Sequence, residues 1–219
     1  MSKPARRSGD TGKRILEAAC RLFADRGYRN TTTAMICRSA GANNAAVNYH
    51  FGSKENLYRS AWRYAHDRSV SAISPDGGVG QDQPPEARLR GRIRANLERL
   101  MFGDAIAFRI IRQEIASPTG LLREVIEEAI RPTRQAFQAI LRELLGPQAT
   151  QRDVQLCEVC VVAPWMHIGQ TLQARTHEGL APVFDKGMLD QITDHFAAFA
   201  LAGIAETHAR IERGDVNRE

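Results

Sequence analysis

TTTAMICRSAGANNAAVNYHFGSKENLY, Thr31 to Tyr58, is the stretch whose reading decides the fold. Thr31 to Thr33 offers hydroxyl groups that can cap a short helix ending near Ala40. Gly41 then supplies a tight turn, because glycine enters the left-handed backbone region without steric cost. Asn43 caps a second short helix, which stops at Phe51–Gly52, and Ser53 caps the helix after that. The second short helix is polar along most of its length, and Lys54 lies just beyond it. Two short helices on a glycine turn, the second of them polar, make a helix-turn-helix, whose second helix enters the major groove of DNA.

Working outward, helical periodicity dominates and no strand-type alternation or internal repeat interrupts it. Upstream, Ile15, Ala18, Ala19, Leu22 and Phe23 share one face of a first helix from about Thr11 to Arg26, ended by Gly27. Downstream, Leu57, Tyr58, Ala61 and Trp62 form the buried side of a fourth helix from Lys54 to about Ile73. SPDGGVGQDQPP (Ser74–Pro85) is a Pro/Gly-rich connector. Five more helices follow: one marked by Leu89, Ile93, Leu97, Leu100 and Met101; then Ala105–Ala116; Leu121–Leu145, bending near Pro132; Arg152–Arg175; and Lys186 to about Glu206. The tail IERGDVNRE is expected to fray. The fold class is all-α with about nine helices. Residues 1–60 form the reading head, and residues 61–219 form the body.

Charge divides along the same line. Residues 1–63 carry 12 Lys and Arg against 4 Asp and Glu, whereas the remainder carries 18 against 21. A basic end on a mildly acidic body points to a polyanionic partner for that end. No run approaches the ~18 apolar residues of a membrane span, and no apolar signal-peptide core follows the basic amino terminus, so the expected location is cytoplasmic. Four cysteines in a chain of 219 residues are too few for a disulfide scaffold and suit a reducing compartment.

Asn44 and Asn48 are four residues apart, hence on one helix face, and asparagine pairs in bidentate fashion with adenine. Ala45 and Ala46 let the backbone come close to the groove. The alternative for both asparagines is a merely solvated face. Asn43, at the helix start, belongs to the same surface. Lys54 sits in the first turn of the fourth helix, where a cation opposes the helix dipole and a nearby phosphate would remove the conflict. Thr32 and Thr33 can cap, touch phosphate, or do both. Lys3, Arg6, Arg7, Lys13 and Arg14 could follow the DNA backbone as an arm or simply keep the terminus solvated.

Over residues 11–63 the chain resembles the amino-terminal domain of TetR-type transcriptional regulators, with YHFGSKENLY as the most specific part. The resemblance implies that Tyr49 and His50 reach phosphates while Phe51 packs inside. Many relatives carry Ser or Thr where this chain has Asn43, and an aromatic where it has Asn48, so the operator sequence does not follow. Val-Asn-Tyr-His-Phe looks like the branch related to the CerR and YbiH regulators. IIRQEIASPTG (Ile110–Gly120), AIRPTRQAF (Ala129–Phe137) and FAAFALAGI (Phe196–Ile204) add support to that branch. The family further implies a homodimer through the helices near 152–175 and 186–206, with repression of a palindromic operator relieved by a small-molecule inducer. The physical need is that one helix-turn-helix gives weak specificity, while a two-fold dimer reads both half-sites. No cofactor is expected.

Phe102, Phe108, Arg112, Trp165 and His167 are candidate inducer contacts, because they lie on body helices and mix aromatic with polar groups. Each could equally be ordinary core or interface, and Arg109, Arg112 and Glu114 could form a structural ion pair. Cys157, Cys160 and His167 project onto one side of a helix and define a metal-responsive alternative. The same residues offer the only drawable Cys–His hydrolase, without any oxyanion-hole signal. The expectation is a regulator and not an enzyme.

Overall fold

The computed structural model describes residues 5–177 and 185–215. Among them are nine α-helices, one short 3-10 helix and no strand: α1 (Ala5–Arg26), α2 (Thr33–Ala40), α3 (Ala45–Phe51), α4 (Lys54–Ala72), α5 (Pro85–Met101), α6 (Ile106–Ala116), α7 (Arg123–Leu145), α8 (Gln151–His177), the 3-10 turn Lys186–Met188, and α9 (Leu189–Arg213). The all-α expectation holds, and the helix boundaries agree within a few residues except at two ends. α1 begins at Ala5, one to two turns before the apolar pattern starts. α9 continues through Ile211 to Arg213 and ends at Gly214 in the left-handed region (φ 76°). The first residues of the tail expected to fray are therefore helical, because Ile211 is buried one heptad after Ile204.

Two compact units divide the chain, and the division follows packing rather than chain order. The first comprises residues 1–72 and 104–130, and the second residues 73–103 and 131–219. They do not coincide with a cut at residue 60, since α6 and the first turns of α7 pack with the amino-terminal helices.

In the first unit, α1 packs on α2, α3, α4 and α6. Ile15, Phe23, Ile36, Leu57, Tyr58 and Trp62 are fully buried at its centre, joined by Ile110 and Leu122. Phe23 meets Tyr58 edge-on with centroids 4.8 Å apart, a geometry favoured by aromatic quadrupoles. Polar contacts tie α6 to this core. Arg109 pairs with Asp25, and Tyr58 donates its hydroxyl proton to Glu114 (3.1 Å). Glu114 also accepts the backbone N–H groups of Thr119 and Gly120, each at 2.8 Å. Arg109 and Glu114 are thus structural, but in separate contacts rather than one shared ion pair.

In the second unit, α5 packs on α8 and α9. Its core is aliphatic: Leu89, Ile93, Leu97, Leu141, Leu145 and Val154, with Phe137 and Trp165 at the side. The Pro/Gly-rich connector is docked here. A Cβ on Gly77 would collide with the Gly91 carbonyl, and Gly77 has a φ of 67°, so α5 and the connector touch backbone to backbone. Glycine is required at that crossing for space as well as for conformation.

Candidate nucleic-acid interface

The turn between α2 and α3 is built as the sequence implies. Thr32 caps α2 by accepting the Met35 N–H (3.2 Å). Gly41 adopts φ 59°, and its N–H and that of Ala42 return to Arg38 and Cys37 carbonyls. Asn43 accepts the Ala45 N–H through Oδ1 (3.0 Å) one residue ahead of the expected place: the residue that precedes α3 is Asn44, which makes no side-chain capping bond. Ser53 caps α4, accepting from Asn56 N–H (3.1 Å). Of the three threonines before α2 only Thr32 caps. Thr31 is buried and donates its hydroxyl proton back to the Gly27 carbonyl (2.8 Å). Thr33 is the first helical residue and half-buried.

α3 is anchored by one side. Val47 is buried, and Ala46 and Phe51 pack against the first core. Asn43, Asn44, Ala45, Asn48 and Tyr49 remain exposed, Tyr49 to 79%. Tyr49 thus presents its ring to solvent on the side of α3 opposite the buried Val47. His50 is half-buried, with its ring edge-on to Tyr49 at 4.9 Å. A Cβ on Gly12 would lie 3.3 Å from His50 Nδ1, so glycine at that point of α1 gives the imidazole room. Lys13, Arg14 and Arg38 are exposed cations, and Arg14 reaches the Gly41 carbonyl at 3.5 Å. Lys3 lies outside the described residues, as do the side chains of Arg6 and Arg7.

Lys54 is held by residues that sequence reasoning missed. Its ammonium lies 4.0 Å from the centroid of the Tyr28 ring, a cation–π contact. The Tyr28 hydroxyl in turn donates to Glu55 Oε1 (2.8 Å). Partial burial holds the Lys54 pKa below its ordinary value, with Glu55 opposing. Glu55 is pulled down to about 2 by its own backbone N–H at the start of α4, then by the Ser53 and Tyr28 hydroxyls. Tyr28 lies in the loop after α1, 26 residues before Lys54, and nothing in the local pattern pairs them. The result is an ammonium fixed beside the start of α4, where the Asn56 N–H is taken by the Ser53 hydroxyl and the Glu55 carboxylate holds a backbone N–H, so the charge offered to an anion is that of Lys54 itself.

The candidate inducer contacts fall in different places. Phe108 and Arg112, both half-buried, belong to the first unit; Phe102, Trp165 and His167 belong to the second. Within the second unit a cavity of about 280 Å³ lies among α5, α8 and α9, walled by Ile93, Val161, Pro164, Trp165, Phe196 and Ile204 among others. Of the five candidates only Trp165 lines it. His167 is exposed, and Phe102 packs against the second core.

Among the described residues no group of three or more His, Cys, Asp or Glu side chains could hold a metal ion. Cys157 points into the core while Cys160 and His167 face outward. Burial also raises the Cys157 pKa, with Thr207 opposing, the reverse of what an activated thiolate nucleophile needs. Among the described residues no helix is long and apolar enough to cross a membrane.

Comparison with known proteins agrees with this architecture. Residues 15–61 match the sequence model of the tetR family of bacterial regulatory proteins. Residues 85–204 match the carboxyl-terminal domain of the HTH-type transcriptional dual regulator CecR. The chain belongs to the TetR family of transcriptional regulators, with a DNA-binding helix-turn-helix at its amino-terminal end. It is 30% identical over 147 residues to the dual regulator CecR of Shigella flexneri, covering 63% of this chain and 66% of that protein. It is 37% identical over 65 residues to the transcriptional repressor AcnR of Corynebacterium glutamicum, covering 30% and 35%. The chain thus spans less than two thirds of the length of either relative. Similar solved structures include the fatty acid degradation regulator FadR of Bacillus halodurans (TM-score 0.66, 17% identity, 93% of this chain and 98% of that one). A TetR-like transcriptional regulator from Rhodococcus sp. RHA1 is also similar (TM-score 0.63, 19% identity, 88% and 96%). At those identities the likeness concerns the fold.

Proposed function

We propose that this regulator is a cytoplasmic homodimer that represses from a palindromic operator and lets go when a small molecule binds the body. The observation that carries this reading is the face of α3. Asn44, Ala45, Asn48 and Tyr49 stand together in solvent while Val47 anchors the opposite side. Asn44 and Asn48 read base edges, Tyr49 and His50 meet the phosphates, and Lys54 clamps one more. Thr32 and Thr33, at the start of α2, contact the backbone on the other side of the turn.

Dimerisation uses α8 and α9. Leu156 (58% exposed) and Val159 (64%) on α8 and Phe199 (76%) on α9 are large apolar side chains that the second unit leaves uncovered. Such a surface fits a self-complementary two-fold contact. Release follows if the effector favours a body conformation that moves α6, which Tyr58–Glu114 joins to α4 and Arg109–Asp25 joins to α1. The effector must bind the released state better than the DNA-bound one.

Selection of bound fragments from the source genome tests the reading. It should return a palindrome whose half-sites are about one helical turn apart or a multiple of it. Recovery of no sequence above background at physiological salt would refute it.

A further inference from the structure

α5 carries five arginines, and they fall into two kinds. Arg88 pairs with Glu143, Arg90 with Asp194 (2.6 Å), and Arg94 with Asp190 (3.1 Å) and Glu98 (3.0 Å). Arg92 and Arg99 form no ion pair among the described residues. Arg92 donates to the Thr133 carbonyl (2.9 Å) and lies 5.9 Å from the Phe137 ring centroid. Asp76 is the single carboxylate that acts on it, at longer range. Arg99 donates only to acceptors of its own helix: the Ala95 carbonyl and Asn96 Oδ1, both at 3.2 Å. Asn96 in turn spends its amide on the Arg92 carbonyl (2.9 Å).

A partly buried charge needs a counter-charge more than an exposed one does. Arg88, the most buried of the paired three, has its carboxylate, whereas Arg92 and Arg99, also partly buried, share a face at positions i and i+7 with Asn96 between them and have none. Burial, joined for Arg99 by repulsion from Arg92, holds both guanidinium pKa values below their ordinary range.

We propose that Arg92 and Arg99, with Asn96 positioning the Arg99 guanidinium, form the anion-recognition element of the effector site, and that the effector is an organic carboxylate. The planar guanidinium fork matches a carboxylate in bidentate fashion, and a second arginine on the same face adds a charge to the same ligand. This deepens the ligand response proposed above: the apolar cavity beside Trp165 would select by shape, whereas these arginines select by charge.

The test is thermal unfolding of the full-length wild type and Arg99→Met, each with benzoate or benzamide at matched ionic strength. Operator binding is measured in parallel. Near ten times its dissociation constant, benzoate should raise the wild-type Tm by about 2–4 °C over benzamide, and Arg99→Met should lose that difference. Without added anion, Arg99→Met should be at least as stable as wild type, since it removes an uncompensated charge. Equal effects of benzoate and benzamide on wild type would overturn the proposal. So would an Arg99→Met protein that is destabilised yet keeps the benzoate shift. If operator binding is intact in either case, only this inference falls; absence of operator binding by the wild type would instead refute the regulator reading.

Discussion

The two units solve the same packing problem differently. The first has an aromatic core: Phe23, Tyr58 and Trp62 are fully buried, Thr32 and Ser53 cap α2 and α4, and its exposed large apolar side chains are Tyr49 on the reading helix and Ile115 on α6. The second is aliphatic, encloses a cavity, and leaves Leu156, Val159 and Phe199 in solvent. A rigid head that must place a few side chains within a groove gains from a core with one packing solution. Under the proposed function, the body meets a second copy and responds to a ligand, which calls for uncovered surface and space.

The largest effect should come from breaking the first core. Trp62→Ala removes a fully buried indole and should cost about 3–5 kcal/mol, read as a fall in denaturant midpoint together with loss of DNA binding. Phe199→Asp should leave the subunit folded but shift the dimer toward monomer. At hot-spot strength of about 2 kcal/mol or more, the dissociation constant should rise roughly 30-fold or beyond, measurable by sedimentation. If Phe199→Asp unfolds the chain as Trp62→Ala does, the contrast between the two units is false.

A smaller effect tests the head's construction. Gly41→Ala meets no neighbour within 4 Å, yet its backbone sits at φ 59°, so it should cost about 1–2 kcal/mol through strain alone and lower the Tm accordingly. The smallest is a pH effect. Glu55 titrates near 2 in the folded head instead of at its usual 4.5. Its interactions therefore stabilise the fold above about pH 4.5 and fade as pH falls toward 2. Glu55→Gln should flatten acid unfolding across that window while leaving stability at pH 7 nearly unchanged in its pH slope.

How much was readable in the chain follows from how local each signal is. Gly41, Thr32 and Ser53 act within four residues, so the turn and its caps could be read directly. Ile211 obeyed the same periodicity but was hidden in a charged tail. Tyr28 beneath Lys54, Glu114 beneath Tyr58, and Gly77 against Gly91 join segments between 14 and 56 residues apart in number. No local pattern announces them, because the partner is chosen by tertiary packing. The same holds for α6, which follows the body in sequence but packs with the head. The five candidate inducer contacts were drawn from residue type and helix alone, and only Trp165 lines the cavity. The unpaired arginines of α5 could not be told from their paired neighbours without coordinates.

The central claim is that the exposed face of α3 and the Lys54 clamp meet DNA. The most direct measurement is the affinity of wild type, Tyr49→Ala and Lys54→Ala for a genome-selected fragment across a salt series. Both variants should keep their thermal stability and bind about 10–100-fold more weakly, and Lys54→Ala should lower the salt slope by about one. Unchanged affinity and slope in both variants would contradict the account.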